Sequence, residues 1–118
     1  MEQLDFEKLV EERVNKIRQV LANKAKEYAR GDRLSNFKKA AYALSSTPEE
    51  VCVNLWFKHV ISIVDLVQDL GKGNIATDAM WNEKLTDGIN YLILLEALVT
   101  DRVNGIAGLL ASPPVEKK

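Results

Sequence analysis

The chain has 118 residues, a length typical of one domain. Its 16 basic and 17 acidic residues nearly cancel, so its charge gives no broad attraction to nucleic acid or to anionic lipid. A single cysteine, Cys52, excludes an internal disulfide, and one cysteine with one histidine cannot build the usual zinc site. The acidic start and the short apolar runs predict a cytoplasmic protein with no membrane partner. The charge balance predicts no stable nucleic-acid binding.

Apolar residues recur at helical spacing from residue 5 to about residue 29, and they predict a long amphipathic helix. The charged segment 30–33 (Arg-Gly-Asp-Arg) ends this pattern. After it, Ser35 or Asn36 is expected to cap a short helix. The apolar residues of that helix are Phe37, Ala40, Ala41 and Leu44.

The strongest helix start in the sequence is the segment Thr-Pro-Glu-Glu at 47–50. Thr47 stands in the cap position, Pro48 in the first helical position, and Glu50 three residues after the threonine, which is the pattern of a capping box. A second long helix is therefore predicted from Pro48 until Gly71 ends it. It is apolar except for one stripe, which holds Lys58, Ser62, Asp65 and Asp69.

Thr77 or Asp78 is expected to start a third long helix that reaches roughly Arg102. This helix is apolar nearly all round, apart from a thin strip near Thr86 and Thr100. Because one chain of this length can rarely cover such a helix on every side, we predict a homodimer or a homotetramer.

Together these patterns predict an all-α fold, a helical bundle of three long helices and a short one. No segment alternates with a period of two over a useful length, which argues against a sheet. Residues 1–104 form the predicted helical domain, and residues 105–118 form a C-terminal tail that docks on a neighbour or frays.

Glu83, Asp87 and Asn90 share the stripe of the last helix that continues into apolar residues. A buried face would therefore begin with two carboxylates and an amide, and buried carboxylates require a partner. Because Glu83 and Asp87 are four residues apart, their carboxylates project toward one point, as a magnesium ion requires. The alternative is that both are solvated helix residues, or that they pair with Lys84 and Arg102.

Lys58 and His59 are a second candidate pair, on the second long helix. Lys58 lies on the polar stripe with Asp65, where it either contacts a phosphate or forms a surface ion pair. His59 lies on the apolar flank, where a histidine is more often a hydrogen-bonded core residue than a base or a ligand.

Charged residues also surround the first break in the helical pattern. Lys24 lies at the centre of the apolar stripe of the first helix and Glu27 at its edge, and Arg33 and Lys38 follow. Basic and acidic groups at a helix end suit the phosphates of a nucleotide and its metal ion, and the alternative is a solvated turn.

A family resemblance is carried by four segments: Glu-Tyr-Ala at 27–29, Asn-Phe-Lys-Lys-Ala-Ala at 36–41, Lys-His at 58–59 and Glu-Lys-Leu-Thr-Asp-Gly-Ile-Asn-Tyr-Leu at 83–92. With these segments, about residues 13 to 100 resemble small phage proteins of the nucleotide-modification-associated group. That group is distantly similar to the MazG-like all-α nucleoside triphosphate pyrophosphohydrolases.

The resemblance implies a dimer or tetramer that binds Mg²⁺ through carboxylates and cleaves a nucleoside triphosphate between its α and β phosphates. In those enzymes a Glu-x-x-Glu on one helix faces a Glu-x-x-Asp on the next, whereas here Glu83 and Asp87 are four residues apart. Glu27 or Asp65 would complete the magnesium shell. The nucleotide would be bound by Lys24, Arg33, Lys38 and Asn90, the catalytic residues would be Lys58 and His59, and the base would stack on Tyr28, Trp56 or Trp81.

The rival hypothesis is a non-catalytic helical oligomer that serves as an interaction or adaptor protein. A shallow metal site with a complete acidic set would favour the nucleotide enzyme. Glu83 and Asp87 exposed to solvent, and far from Glu27 and Lys58, would favour the adaptor.

Overall fold

A computed structural model of the protein describes residues 1–27 and 34–111, with the backbone alone at residues 24–27 and 111. The described residues form four helices and no strand, which confirms the predicted all-α class of three long helices and a short one. No helix in these two ranges is both long and apolar enough to cross a membrane. The helices are α1 (Gln3–Glu27), α2 (Ser35–Ala43), α3 (Pro48–Gly71) and α4 (Asp78–Ala111).

The start of α2 differs from the prediction in its cap. Leu34 is the N-cap residue, and no side chain there accepts a hydrogen bond from the first turn, so the predicted cap at Ser35 or Asn36 is wrong. Leu34 is instead buried in the core, and its packing holds the entry to α2 in place.

The start of α3 is capped by Thr47, as predicted. The Thr47 hydroxyl oxygen accepts a hydrogen bond from the backbone N–H of Glu50 at 3.1 Å, and the same hydroxyl donates to the Glu50 carboxylate at 3.1 Å. Pro48 occupies the first turn, where its missing N–H leaves no helical bond unmade. The helix ends at Gly71, and Gly73 takes a left-handed φ of 84° that turns the chain toward α4.

Helix α4 extends past Arg102, where the sequence predicted its end, to Ala111. Gly105 and Gly108 do not end the helix, because each glycine lowers helix stability by only about 1 kcal/mol. The neighbouring alanine and leucine residues favour helix, and the first proline comes only at Pro113. The first part of the predicted tail is therefore a continuation of α4.

The core lies where α2 and α3 meet α4, and the described residues of α1 pack on α4. Leu34, Cys52 and Leu98 form its buried cluster, and Phe37 and Tyr91 are among the partly buried side chains packed on it. Burial raises the pKa of the Cys52 thiol, so the thiol keeps its proton. The thiol donates a hydrogen bond to the Tyr91 carbonyl oxygen at 3.4 Å. This cluster positions the middle of α4 against α2 and α3.

A polar contact joins α1 to α4. Arg13 donates from Nη1 to the Thr86 hydroxyl at 2.6 Å and to Asn82 Oδ1 at 3.0 Å. Thr86 is only 4% exposed, and its hydroxyl accepts this hydrogen bond while it donates a longer one to Asn82 Oδ1 at 3.5 Å. The sequence places Thr86 on a thin polar strip of this helix, but the strip does not predict the contact with Arg13.

An ion pair joins the start of α3 to the later part of α4. Arg102 donates from Nε to Glu49 Oε1 at 2.6 Å and from Nη2 to Oε2 at 2.8 Å. These hydrogen bonds lower the pKa of the Glu49 carboxyl and raise the pKa of the Arg102 guanidinium. The predicted alternative partner of Arg102, a carboxylate at position 83 or 87, is therefore wrong.

This pair predicts a pH dependence of stability. Because the folded-state pKa of Glu49 is lowered, its contribution is fully present above the pKa of an unfolded glutamate and is lost as the pH falls through the lowered value. The free energy of unfolding should therefore fall on acidification more steeply in wild type than in an Arg102→Gln variant. Urea unfolding between about pH 7 and pH 3 measures both slopes, and equal slopes would contradict the account.

Candidate functional site

A cavity of about 330 Å³ lies beside the middle of α4, and all four helices contribute to its wall. Most of the lining is aliphatic or aromatic, with a carboxylate and two carboxamides among it. Apolar walls with a few polar groups are the usual composition of a small-molecule site. The lining residues are Leu21, Asn36, Phe37, Ala40, Val51, Leu55, Asp87, Asn90, Tyr91 and Leu94.

Asn90 is the distinctive residue of this cavity. It is only 3% exposed, and neither its Oδ1 nor its Nδ2 atom has a hydrogen-bond partner among the described residues. Buried polar side-chain atoms in folded proteins are in large majority hydrogen-bonded, since an unpaired one is destabilising by about 1–3 kcal/mol. The carboxamide therefore offers one donor and one adjacent acceptor to a molecule that enters the cavity.

Asp87 stands one turn before Asn90, and His59 of α3 lies beside it. The His59 Nδ1 and Asp87 Oδ2 atoms are 3.9 Å apart, and the two side chains are 24% and 28% exposed. The His59 ring also stacks on Tyr91, with centroids 4.8 Å apart and an interplanar angle of 28°. This arrangement holds Tyr91 at the cavity wall and places a titratable imidazole next to the cavity carboxylate.

Three other predicted metal and catalytic residues do not join this group. Glu83, Asp65 and Lys58 are exposed, so the expectation of a buried carboxylate is wrong for Glu83. The described side chains include no group of three or more Asp, Glu, His or Cys that could hold a metal ion. The adaptor hypothesis predicted that both Glu83 and Asp87 are exposed. The structure agrees with it at Glu83 but not at Asp87, which is half-buried.

Four of the predicted nucleotide and metal ligands lie elsewhere or cannot be placed. Lys38 is exposed, and its Nζ atom lies 3.1 Å from Asp101 Oδ2 of α4, away from the cavity lining. The side chains of Lys24 and Glu27 lie outside the described residues, and so does the whole of Arg33.

Sequence reasoning missed two aromatic residues of the site. Phe37 and Tyr91 line the cavity, whereas Trp56 and Trp81 do not. It also assigned Asn36 to a helix cap, although this side chain is part of the lining. One sequence signal was present on α4, because polar Asn82, Thr86 and Asn90 recur every four residues and so lie along one side of the helix.

Comparison of the chain with protein-family models, with curated proteins and with solved structures finds no match. The resemblance of about residues 13 to 100 to the phage group therefore stays a prediction from the sequence.

Proposed function

We propose that the protein binds a nucleotide and that the base enters the cavity beside Asn90. The observation that carries this proposal is the buried Asn90 carboxamide, whose two polar atoms have no hydrogen-bond partner among the described residues. A nucleobase supplies what this amide lacks, because its edges present hydrogen-bond donors and acceptors side by side. Its faces suit the aromatic side chains of Phe37 and Tyr91, which line the same cavity.

The size and polarity of the cavity fit the same ligand. Its volume of about 330 Å³ is at the lower end of the range for small-molecule sites. A mostly apolar wall accepts a heterocyclic ring, while charged phosphates need to remain near water or near basic groups. The basic residues predicted to contact phosphates are Lys58, which is exposed on α3, and Lys24 and Arg33, whose side chains lie outside the described residues.

The described side chains alone do not form a magnesium site. Magnesium sites commonly use one or two carboxylates together with the phosphates of a nucleotide. Asp87 and Glu83 are one turn apart on α4 and are the carboxylates suited to that role. Support for pyrophosphate release as the reaction comes from the family resemblance.

The proposal is tested by calorimetric titration of the purified protein with Mg²⁺ alone, and with canonical and modified deoxynucleoside triphosphates with and without Mg²⁺. We expect saturable nucleotide binding and little binding of Mg²⁺ alone. The same samples are assayed for pyrophosphate release, which separates an enzyme from a nucleotide-binding protein. Absence of binding to every nucleotide would overturn the proposal.

A helical homo-oligomer is a second proposal, and it is compatible with the first. The described part of the chain measures 72 × 35 × 25 Å with a radius of gyration of 19.0 Å, against about 13 Å for a compact domain of this length. Large apolar side chains are half exposed along both α1 and α3. On α3, Phe57, Ile61 and Val64 recur at helical spacing and form one exposed stripe.

This second proposal predicts an effect of charge on assembly. Ile61 is 59% exposed at the centre of the α3 stripe, so Ile61→Glu would place a carboxylate inside the proposed contact. We expect wild type to sediment as a dimer or larger species, and Ile61→Glu to shift toward the monomer. Thr100→Glu, at an exposed polar position of α4 and outside the α3 stripe, is the control. A wild-type monomer at all concentrations would contradict the prediction.

A further inference from the structure

We infer that Asn90 is the specificity-determining residue of the cavity, and that its carboxamide recognises the hydrogen-bonding edge of the base. The inference rests on the proposed nucleotide binding and goes beyond it by assigning the part of the ligand that this residue contacts. The ligand group inside the cavity is then a planar nitrogen heterocycle with an adjacent donor and acceptor.

The carboxamide can make two hydrogen bonds to one ligand edge. Asn90 Nδ2 donates and Oδ1 accepts, and the described residues claim neither atom. An asparagine whose two atoms are both available pairs in a bidentate way with a base edge that offers a donor beside an acceptor. The terminal torsion of an asparagine is broad, so the amide can turn to match either order of donor and acceptor.

The other polar groups of the cavity argue for a base over a phosphate at this position. The Asp87 carboxylate lines the same cavity one turn away, so an anionic group beside Asn90 would meet a like charge. The nearby lining from Leu94 and Val51 is aliphatic and would leave a phosphate without its hydration. A neutral ring avoids both penalties.

The aromatic walls orient the ring so that its edge meets Asn90. Phe37 on α2 and Tyr91 on α4 line the cavity from different helices, and Tyr91 follows Asn90 directly in the chain. Because Tyr91 stacks on His59 at 4.8 Å, its ring is supported from the α3 side. A base held by these rings has a defined plane, which is what edge recognition by one amide requires.

The inference is tested with nucleoside monophosphates and two variants of Asn90. Asn90→Asp replaces the donor and acceptor by two acceptors, and among the common bases guanine alone presents two adjacent donors on its pairing edge. At pH 8, where the new carboxyl is best ionised, affinity for dGMP relative to dAMP, dCMP and dTMP should rise by about tenfold over wild type. At pH 6 that preference should diminish, because burial raises a carboxyl pKa.

Asn90→Leu tests the same inference if the Asn90→Asp variant does not fold. It should weaken binding of all four monophosphates by about tenfold or more while leaving the binding of 2-deoxyribose 5-phosphate unchanged. Asn82→Leu is the matched control, because Asn82 lies on the same helix but accepts a hydrogen bond from Arg13. Its preference among the bases should equal that of wild type.

The outcomes separate this inference from the proposed function. If wild type binds nucleotides but Asn90→Asp weakens all four equally, Asn90 contacts the sugar or the phosphate, and the inference is wrong while nucleotide binding stands. Equal loss of 2-deoxyribose 5-phosphate binding in Asn90→Leu would lead to the same conclusion. If wild type binds none of the monophosphates or triphosphates, both fail.

Discussion

Replacement of Asn90 by leucine should make the ligand-free protein more stable while it weakens nucleotide binding. The wild-type carboxamide is buried, and no described residue bonds to either of its polar atoms. Leucine has a similar size but no polar atom to leave unsatisfied. We expect the free energy of unfolding to rise by about 1–3 kcal/mol, measured by urea unfolding without ligand. A gain of stability with a loss of binding is typical of a residue kept for function.

The opposite change is expected at Asn82, which has the same side chain on the same helix. Asn82 accepts a hydrogen bond from Arg13 at 3.0 Å, so Asn82→Leu should lower the free energy of unfolding by about 1 kcal/mol. If Asn90→Leu also destabilises the protein, its carboxamide has a partner within the protein, and the assignment of the cavity as a ligand site would be wrong.

Truncation of Leu98 should cause a large loss of stability. Leu98 is 3% exposed in the cluster with Leu34 and Cys52, so Leu98→Ala would leave a void in the core. The expected loss is about 2–5 kcal/mol, a large part of the 5–15 kcal/mol that is typical of a whole domain. Urea unfolding at one protein concentration measures it, because an oligomer's stability depends on concentration.

Leu109→Ala is the control for this measurement. Leu109 is on the same helix but 80% exposed, so its truncation should change the stability of an isolated chain by no more than about 0.5 kcal/mol. A loss at Leu109 as large as that at Leu98 would show that the end of α4 is covered in solution, and that the core described here is only part of the buried surface.

The helices could be predicted because their signals are local. Spacing along α1 and the Thr47 cap depend on residues within one or two turns, and the structure confirms both elements. The cap of α2 could not be predicted, since Leu34 holds that position through packing against Cys52 and Leu98, which are distant in sequence. Local pattern thus fixes the elements and leaves their contacts open.

The site was only partly predictable for the same reason. Helical spacing placed Glu83, Asp87 and Asn90 on one stripe, but burial depends on which neighbouring helix covers each turn. The structure leaves Glu83 exposed, half buries Asp87 and encloses Asn90. No local signal could bring Phe37 of α2 to the same cavity as Tyr91 of α4.

The most direct test of the account is the NMR signal of the Asn90 side-chain NH₂ group, followed while a nucleoside monophosphate is added. The signal is assigned by its absence in Asn90→Leu, and the NH₂ group of Asn82 serves as the internal reference. We predict a saturable shift of the Asn90 signal with little change at Asn82. Nucleotide binding that moves other resonances but leaves the Asn90 signal unchanged would contradict the central claim that this amide contacts the ligand.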